Sequence, residues 1–396
     1  MDTPRTGPID NVTAYSMPPS TYNAALTEVG RGTPGGEFLR RYWHPIAIST
    51  DVTDTPQNVR ILGEDLIMFR DKTGRPGLVY PRCAHRGTTL FYGKVEERGI
   101  RCCYHGWLFD VEGHCLEQPC EPEMGKHRDR VRQPWYPVAD HYGLLFAFLG
   151  PAEKKPLLPR FAQFENLGPN EVIAAEDSGL GTGGNGPHFI APCNWLQHWE
   201  NVMDPYHVAI LHSAFSGTQF VPEMAILPTG DWEYVERGVR FTGLRKLPDG
   251  RSIRRVTEVM LPTLRVVPDV HLKAGDIDHI GFTVPVDDTH YRLFNLQRTY
   301  PGDNRPRGST YNGKRWSELT DAEHQLMPGD YEAQTGQGPI TFHSEEHLTS
   351  TDKGVGMCRR LIAQQIKVVQ DGGDPIGVCF DPAEQIVSLE AGNYYE

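Results

Sequence analysis

Between Cys83 and Trp107 the chain reads CAHRGTTLFYGKVEERGIRCCYHGW, which places three cysteines and two histidines within 25 residues. Cys83 and His85 are spaced C-x-H, and after 16 intervening residues Cys102 and His105 follow as C-x2-H. Two soft thiolates and two imidazoles suit a zinc ion, or a [2Fe–2S] cluster in which two histidines replace two cysteines on one iron. Zinc fingers carry their histidines as one pair on a helix, whereas here each pair holds one Cys and one His. Each pair can therefore give one ligand to each of two irons. Gly87, Gly106 and Trp107 beside the pairs suit two tight loops at the tip of a β domain.

A second group of chemically capable residues lies about 100 positions later. ENVMDPYHVAILH holds Asp204, His207 and His212, spaced D-x2-H-x4-H. Asp204 and His207 can share a helix face at i,i+3. His207 and His212 are five apart, about 140° on a regular helix, so the helix must distort or end between them. The HExxH zinc pattern, with histidines four apart, is therefore excluded. Two histidines with a carboxylate from elsewhere would form the facial triad of a mononuclear non-heme Fe(II) site, open to O2 and substrate. Taken alone, two histidines on an apolar helix are more often core or surface residues than ligands.

The elements that must position these groups follow from patterning. Residues 1–40 are rich in Gly, Pro and Ser, with a short helix expected around Ser20–Glu28. Residues 41–150 read as short strands broken by Gly, Pro and Asp, a small all-β domain. Pro- and Lys-rich residues 151–161 make a linker, and 162–396 mix helix and antiparallel strand. Val355, Cys358, Ile362, Ile366 and Val369 recur every three or four residues, which predicts an amphipathic helix. The Gly-rich run Gly179–Gly186 lacks the strand and the glycine register of a nucleotide-binding turn and reads as a loop.

Composition narrows the class. In 396 residues, 38% are apolar and 23% charged, the balance of an ordinary globular protein long enough for two domains. A net charge of −12 without a basic run argues against a nucleic-acid partner. No apolar run approaches the roughly 20 residues needed to cross a bilayer. No signal peptide is visible, so a soluble cytoplasmic protein is expected, with its 8 cysteines serving metals or packing rather than disulfides.

With both motifs in view, CxHRGxxL…CxYHGWxFD resembles the Rieske cluster motif, and EN-x2-D-x2-H-x4-H is similar to the iron-binding motif of Rieske non-heme iron oxygenases. The resemblance is to their terminal oxygenase α subunits, in the branch of phthalate dioxygenases and lignin-aromatic O-demethylases. It implies an α+β fold: a small all-β Rieske domain and a catalytic domain with an antiparallel sheet surrounded by helices. It also implies a [2Fe–2S] cluster on Cys83, His85, Cys102 and His105, and a mononuclear Fe(II) on His207, His212 and a late Asp.

In the family that Asp stands near the start of a late helix. Asp352 fits, although it also stands where a helix N-cap would; Asp371, Asp374 and Asp381 are the other candidates. Asp204 would orient an iron-binding histidine and couple it to a cluster histidine of a neighbouring subunit, so that a ring of three is expected. Electrons would come from a ferredoxin or an NAD(P)H-dependent reductase, since the chain has no flavin or nicotinamide motif. The implied reaction is O2-dependent hydroxylation or O-demethylation of an aromatic compound. Cys103 stands outside the ligand pattern, and Cys115 and Cys120 read as packed thiols. Arg251, Arg254, Arg255 and Arg265 could anchor a carboxylated substrate, or lie solvated at the surface. A pure electron carrier and a zinc-stabilised binding protein are the alternative classes.

Overall fold

The computed structural model describes residues 14, 17–177, 188–302, 314 and 316–396. The Gly-rich run Gly179–Gly186 lies outside the described residues.

The N-terminal half is built from short antiparallel strands. Gln57–Ile61, Glu64–Arg70, Pro76–Val79 and Trp135–Tyr136 form one four-stranded sheet, and Lys94–Glu96, Gly99–Arg101, Leu108–Phe109 and Cys115–Glu117 form another. A third sheet pairs Trp43–Ile48 and Val138–His141 with Leu144–Phe148. Strand Glu64–Arg70 contains the uninterrupted apolar run LIMF because both of its faces are buried. Leu66 and Met68 enter the main core, whereas Ile67 and Phe69 enter a second, smaller core beneath the cluster motif. Cys83 and Cys102 belong to that second core.

The hairpin Gln57–Arg70 turns through Leu62 and Gly63, both at positive φ (48° and 74°). Two such residues make the turn whose twist matches the flanking strands. Its two amides do not stay in water: Leu62 N–H donates to the Pro285 carbonyl (3.1 Å) and Gly63 N–H to Val286 (2.9 Å). Pro285 and Val286 lie in strand His279–Asp287, so the hairpin ties the two halves together.

The C-terminal half centres on a large antiparallel sheet. Its spatial order is Val172–Glu176, His290–Thr299, His279–Asp287, Leu264–Val266, Ser252–Met260, Gly238–Lys246, Thr229–Val235. Helix Trp195–Asn201 buries Trp195, Leu196 and Trp199, and the Trp199 indole N–H donates to the Leu264 carbonyl (3.1 Å). The expected amphipathic helix runs Lys353–Gln370, with Val355, Cys358, Ile362 and Ile366 buried. Gly354 lets it dock: a Cβ there would sit 2.5 Å from the Met203 carbonyl oxygen. The short helix expected at Ser20–Glu28 is confined to Ala24–Thr27. No helix among the described residues is long and apolar enough to cross a membrane.

Candidate functional site

The two Cys–His loops share one backbone design. In each, the cysteine N–H donates five residues ahead, Cys83 to the Thr88 carbonyl and Cys102 to Trp107, both at 2.9 Å. In each, a glycine closes the turn onto the cysteine carbonyl: Gly87 to Cys83 (2.9 Å) and Gly106 to Cys102 (3.1 Å). The glycines sit at φ 75° and 72°, a region that only glycine enters without strain. Fully buried Gln133 braces the first loop, accepting from Ala84 N–H and donating to the Tyr80 and Arg82 carbonyls.

This design sorts the four donors by depth. Cys83 and Cys102 are buried and lie within hydrogen-bonding reach of each other. Burial, with Cys102 beside it, pushes the Cys83 thiol up to about 12, so a metal must compensate its deprotonation. His85 is exposed and packs edge-on to the half-exposed His105, with ring centroids 4.6 Å apart, while Trp107 stacks on His85 at 4.3 Å. Among the described residues, no three of these four donors converge around a single ion. Inner thiols and outer imidazoles fit two irons rather than one zinc. Cys103 is exposed and unpaired; Cys115 is buried as expected, but Cys120 is exposed and is not a packed thiol.

The second site forms where regular helix fails. Helix Trp195–Asn201 ends, Asp204 and Pro205 follow, and His207–Ala209 resumes a helical turn. Ile210–Phe215 then widens into a π-helix. The wider turn brings residues five apart onto one face, which resolves the problem posed by the spacing of His207 and His212.

The carboxylate between the two imidazoles is Asp330, not Asp352. Asp330 Oδ1 lies 3.5 Å from His207 Nε2 and 3.3 Å from His212 Nε2, and accepts from Asn201 Nδ2 at 3.2 Å. Asp352 instead accepts from Thr349 N–H (2.7 Å) and the Thr349 hydroxyl (3.1 Å) at the entry to helix Lys353–Gln370. It stands at the N-cap position that its sequence context also allowed, but its carboxylate bonds back to Thr349, closing a capping box on the turn Ser350–Asp352 instead of capping the helix amides. The other candidates are engaged elsewhere: Asp371 with Lys367, Asp374 with Arg41 and Lys154, and Asp381 with Ala383 N–H. Asp330 does open a late helix, Asp330–Thr335, but a shorter and earlier one than the sequence pattern singled out.

Both imidazoles have their proton fixed on Nδ1. Gln219 Nε2 donates to the Pro328 carbonyl (3.2 Å), which orients the amide so that Oε1 faces His212 Nδ1 at 2.6 Å. An acceptor at that distance requires the proton on Nδ1. In the same way His207 Nδ1 meets the Asp204 carbonyl at 2.5 Å. That leaves Nε2 of each ring, aimed at Asp330, as the nitrogen that gives up its proton to a metal, the tautomer that metal-ligating histidines adopt. Burial lowers the affinity of His207 for a proton, but Asp204 and Asp330 outweigh it and hold the ring at about 10 without metal. A site that pulls in a proton so strongly has a surplus of negative charge suited to a cation.

Asp204 stands beside this group rather than in it. Its Oδ1 accepts from Tyr206 N–H (3.0 Å) and His207 N–H (3.3 Å), and Oδ2 lies 3.6 Å from His207 Nδ1. Arg359 clamps Glu200 and Glu346 with four charge-assisted bonds of 2.5–2.8 Å, joining helix Lys353–Gln370 to helix Trp195–Asn201.

Comparison with known proteins places this geometry. Residues 42–136 match the Rieske [2Fe-2S] domain. The chain is 52% identical to phenoxybenzoate dioxygenase subunit alpha of Ectopseudomonas oleovorans, over 96% of its own length and 94% of that protein's. It is 36% identical to the tert-butanol monooxygenase / tert-amyl alcohol desaturase oxygenase subunit of Aquincola tertiaricarbonis, over 87% and 76% of the two chains. Dicamba monooxygenase bound to dicamba superposes with a TM-score of 0.61 at 16% identity, covering 85% of this chain and 99% of that one, and so shares the fold. The two-domain α+β architecture is as expected, and neither a bare electron carrier nor a zinc protein accounts for it. Equipped with a Rieske [2Fe–2S] cluster and a mononuclear non-heme iron, and drawing electrons from a separate ferredoxin or reductase, this chain belongs to the Rieske non-heme iron oxygenases, as their oxygenase component, the α subunit.

Proposed function

We propose that this oxygenase component uses O2 to hydroxylate or O-demethylate an aromatic acid. Cys83, His85, Cys102 and His105 hold the cluster, and His207, His212 and Asp330 hold the iron. Residues 41–150 carry the cluster, 151–161 link, and 162–396 carry the iron. One observation supports the iron assignment above the rest: two imidazoles turn Nε2 toward one carboxylate, and ligand atoms of all three residues lie within 4.8 Å of one another. This donor set fits Fe(II) and leaves coordination positions open. The aromatic-acid reading rests on the 52% identity to an enzyme named for phenoxybenzoate.

When bound, the iron supplies O2 activation and the cluster supplies single electrons. The chain's own residues do the rest. Gln219 and the Asp204 carbonyl keep the imidazole protons away from the metal. Exposed His85 and partly exposed Asp204 are surface groups that a neighbouring protomer can bring together. In this reading three protomers form a ring, and each cluster serves the iron of the next. A cytoplasmic location agrees with eight unpaired cysteines.

Turnover with a compatible reductase, assayed against aromatic acids and tertiary alcohols, tests the reaction. Failure to oxidise any aromatic acid while oxidising an alcohol would sink it. Asp204→Asn tests the coupling role: both metals stay and turnover is lost, with a sedimentation coefficient expected for a trimer. Loss of iron in that variant would make Asp204 a ligand instead.

A further inference from the structure

Four arginines in the sheet region could bind an anionic substrate, and the fold separates them. Arg251 is paired with Asp249 and packs on Tyr395; Arg254 is paired with Glu396 and packs on Tyr394. Arg255 is buried, but its donors are taken by the carbonyls of Pro268 and Asp269 and by Asn393 Oδ1. Arg265 differs. No carboxylate among the described residues lies within ion-pair distance of it, Nη2 bonds to Asn295 Oδ1 (2.5 Å), and buried Nε has no acceptor.

Strand register shows which face carries it. Arg265 lies opposite Gly281, and Gly281 lies opposite Asn295. Directly opposed residues point the same way, and so do alternate residues along each strand. Arg265, Thr283, Leu293 and Tyr291 therefore share a face. Val259 (opposite Arg265), Val239, Phe241 and Trp232 extend it, and the Trp232 indole N–H donates to Met203 O (2.9 Å), one residue before Asp204. This is the face that looks at the iron-site helices. The guanidinium crosses over Gly281, where a Cβ would lie 2.5 Å from Nε.

Two more buried donors, one on this face and one on a helix packed against it, lack acceptors. Thr283 is fully buried with an unpartnered hydroxyl, and Gln334, 1% exposed, has an unpartnered Nε2. Gln334 belongs to the helix that Asp330 opens, and its Oε1 accepts from Tyr291 OH (2.9 Å) and His198 Nδ1 (3.1 Å). Tyr291, Glu176 and Asp330 lie within electrostatic reach of Arg265, and burial outweighs them to make its charge costly. Buried donors left without acceptors are expensive, so a ligand that supplies oxygens there gains what the empty site forgoes.

We propose that Arg265 is the carboxylate anchor of the substrate pocket, assisted by Thr283 and Gln334, and that it selects anionic over neutral aromatic substrates. The proposal rests on the oxygenase reading above. An anchor on a central strand facing the iron sets which end of the substrate is held and which end is oxidised.

Anaerobic calorimetry on the holoprotein, using a phenoxybenzoate and its uncharged amide, tests this apart from turnover. The wild type binds the acid more tightly than the amide. Arg265→Gln weakens acid binding roughly tenfold to hundredfold and leaves amide binding unchanged. Arg265→Lys keeps a preference for the acid, and decides the matter if Arg265→Gln fails to retain the cluster absorbance. A wild type indifferent to charge, an Arg265→Gln variant that still prefers the acid, or an Arg265→Lys variant that loses both ligands equally overturns the proposal. If the charge preference holds but no aromatic acid is oxidised, the anchor stands and the proposed reaction falls.

Discussion

Gln219 Oε1 accepts the Nδ1 proton of His212 at 2.6 Å, and the Gln219 amide is itself held by the Pro328 carbonyl two residues before Asp330. One side chain thus orients an imidazole and ties it to the segment carrying the carboxylate. Ser216 adds a second tie, its hydroxyl donating to the same carbonyl (2.7 Å).

Removing that orientation weakens metal binding without touching a ligand. Gln219→Ala is expected to lower affinity for the mononuclear iron, or activity, about 10- to 100-fold. Gln219→Glu, which keeps an acceptor, restores most of it. Iron content per chain and competition with a chelator measure the effect, and the Rieske absorbance serves as the internal control. Unchanged iron affinity in Gln219→Ala would refute the orienting role.

Asp330 and Asp352 separate cleanly by substitution. Asp330→Ala leaves two irons per chain instead of three, with the cluster spectrum intact. Asp352→Ala keeps three irons and costs about 1 kcal/mol of stability, the usual effect of losing a side-chain hydrogen bond in a turn. Metal analysis and thermal unfolding of the two variants decide; iron loss on Asp352→Ala would reverse the assignment.

The Glu200–Arg359–Glu346 group is sensitive to losing one partner. Arg359→Met leaves buried Glu200 and partly buried Glu346 without a cation and is expected to destabilise by about 3 kcal/mol. Adding Glu200→Gln recovers part of this loss, because the remaining charge is Glu346, the more exposed of the pair at 21% against 9%. Denaturant unfolding of the single and double variants supplies the comparison.

His44 makes stability depend on pH. Complete burial lowers its pKa to about 4 against 6.5 when unfolded, only partly opposed by the hydrogen bond to the Leu39 carbonyl. The unfolded chain therefore binds a proton that the folded chain refuses. Stability is whole above pH 6.5 and falls as pH drops toward 4, by up to about 1.4 kcal/mol per pH unit. His44→Gln should flatten that slope; an unchanged slope would show that other groups dominate acid unfolding.

Local spacing made the cluster loops legible, because C-x-H and C-x2-H with a following glycine dictate a turn within six residues. The five-residue gap between His207 and His212 likewise demanded a break from regular helix, and the π-helix Ile210–Phe215 supplies it. What spacing could not reach was Asp330, 118 residues from His212, since nothing along the chain marks which late aspartate the fold brings back. Asp352 had the better-looking helix, but its carboxylate turns back to Thr349 and closes the short turn Ser350–Asp352 that leads into it. Nor could sequence rank four arginines that differ only in their neighbours. The sequence by itself determined the chemistry available and the shape of each short turn, because those depend on residues in contact along the chain. Only the tertiary structure chose the third donor and the unpaired cation, because both choices are made by burial and partners contributed from distant strands and helices.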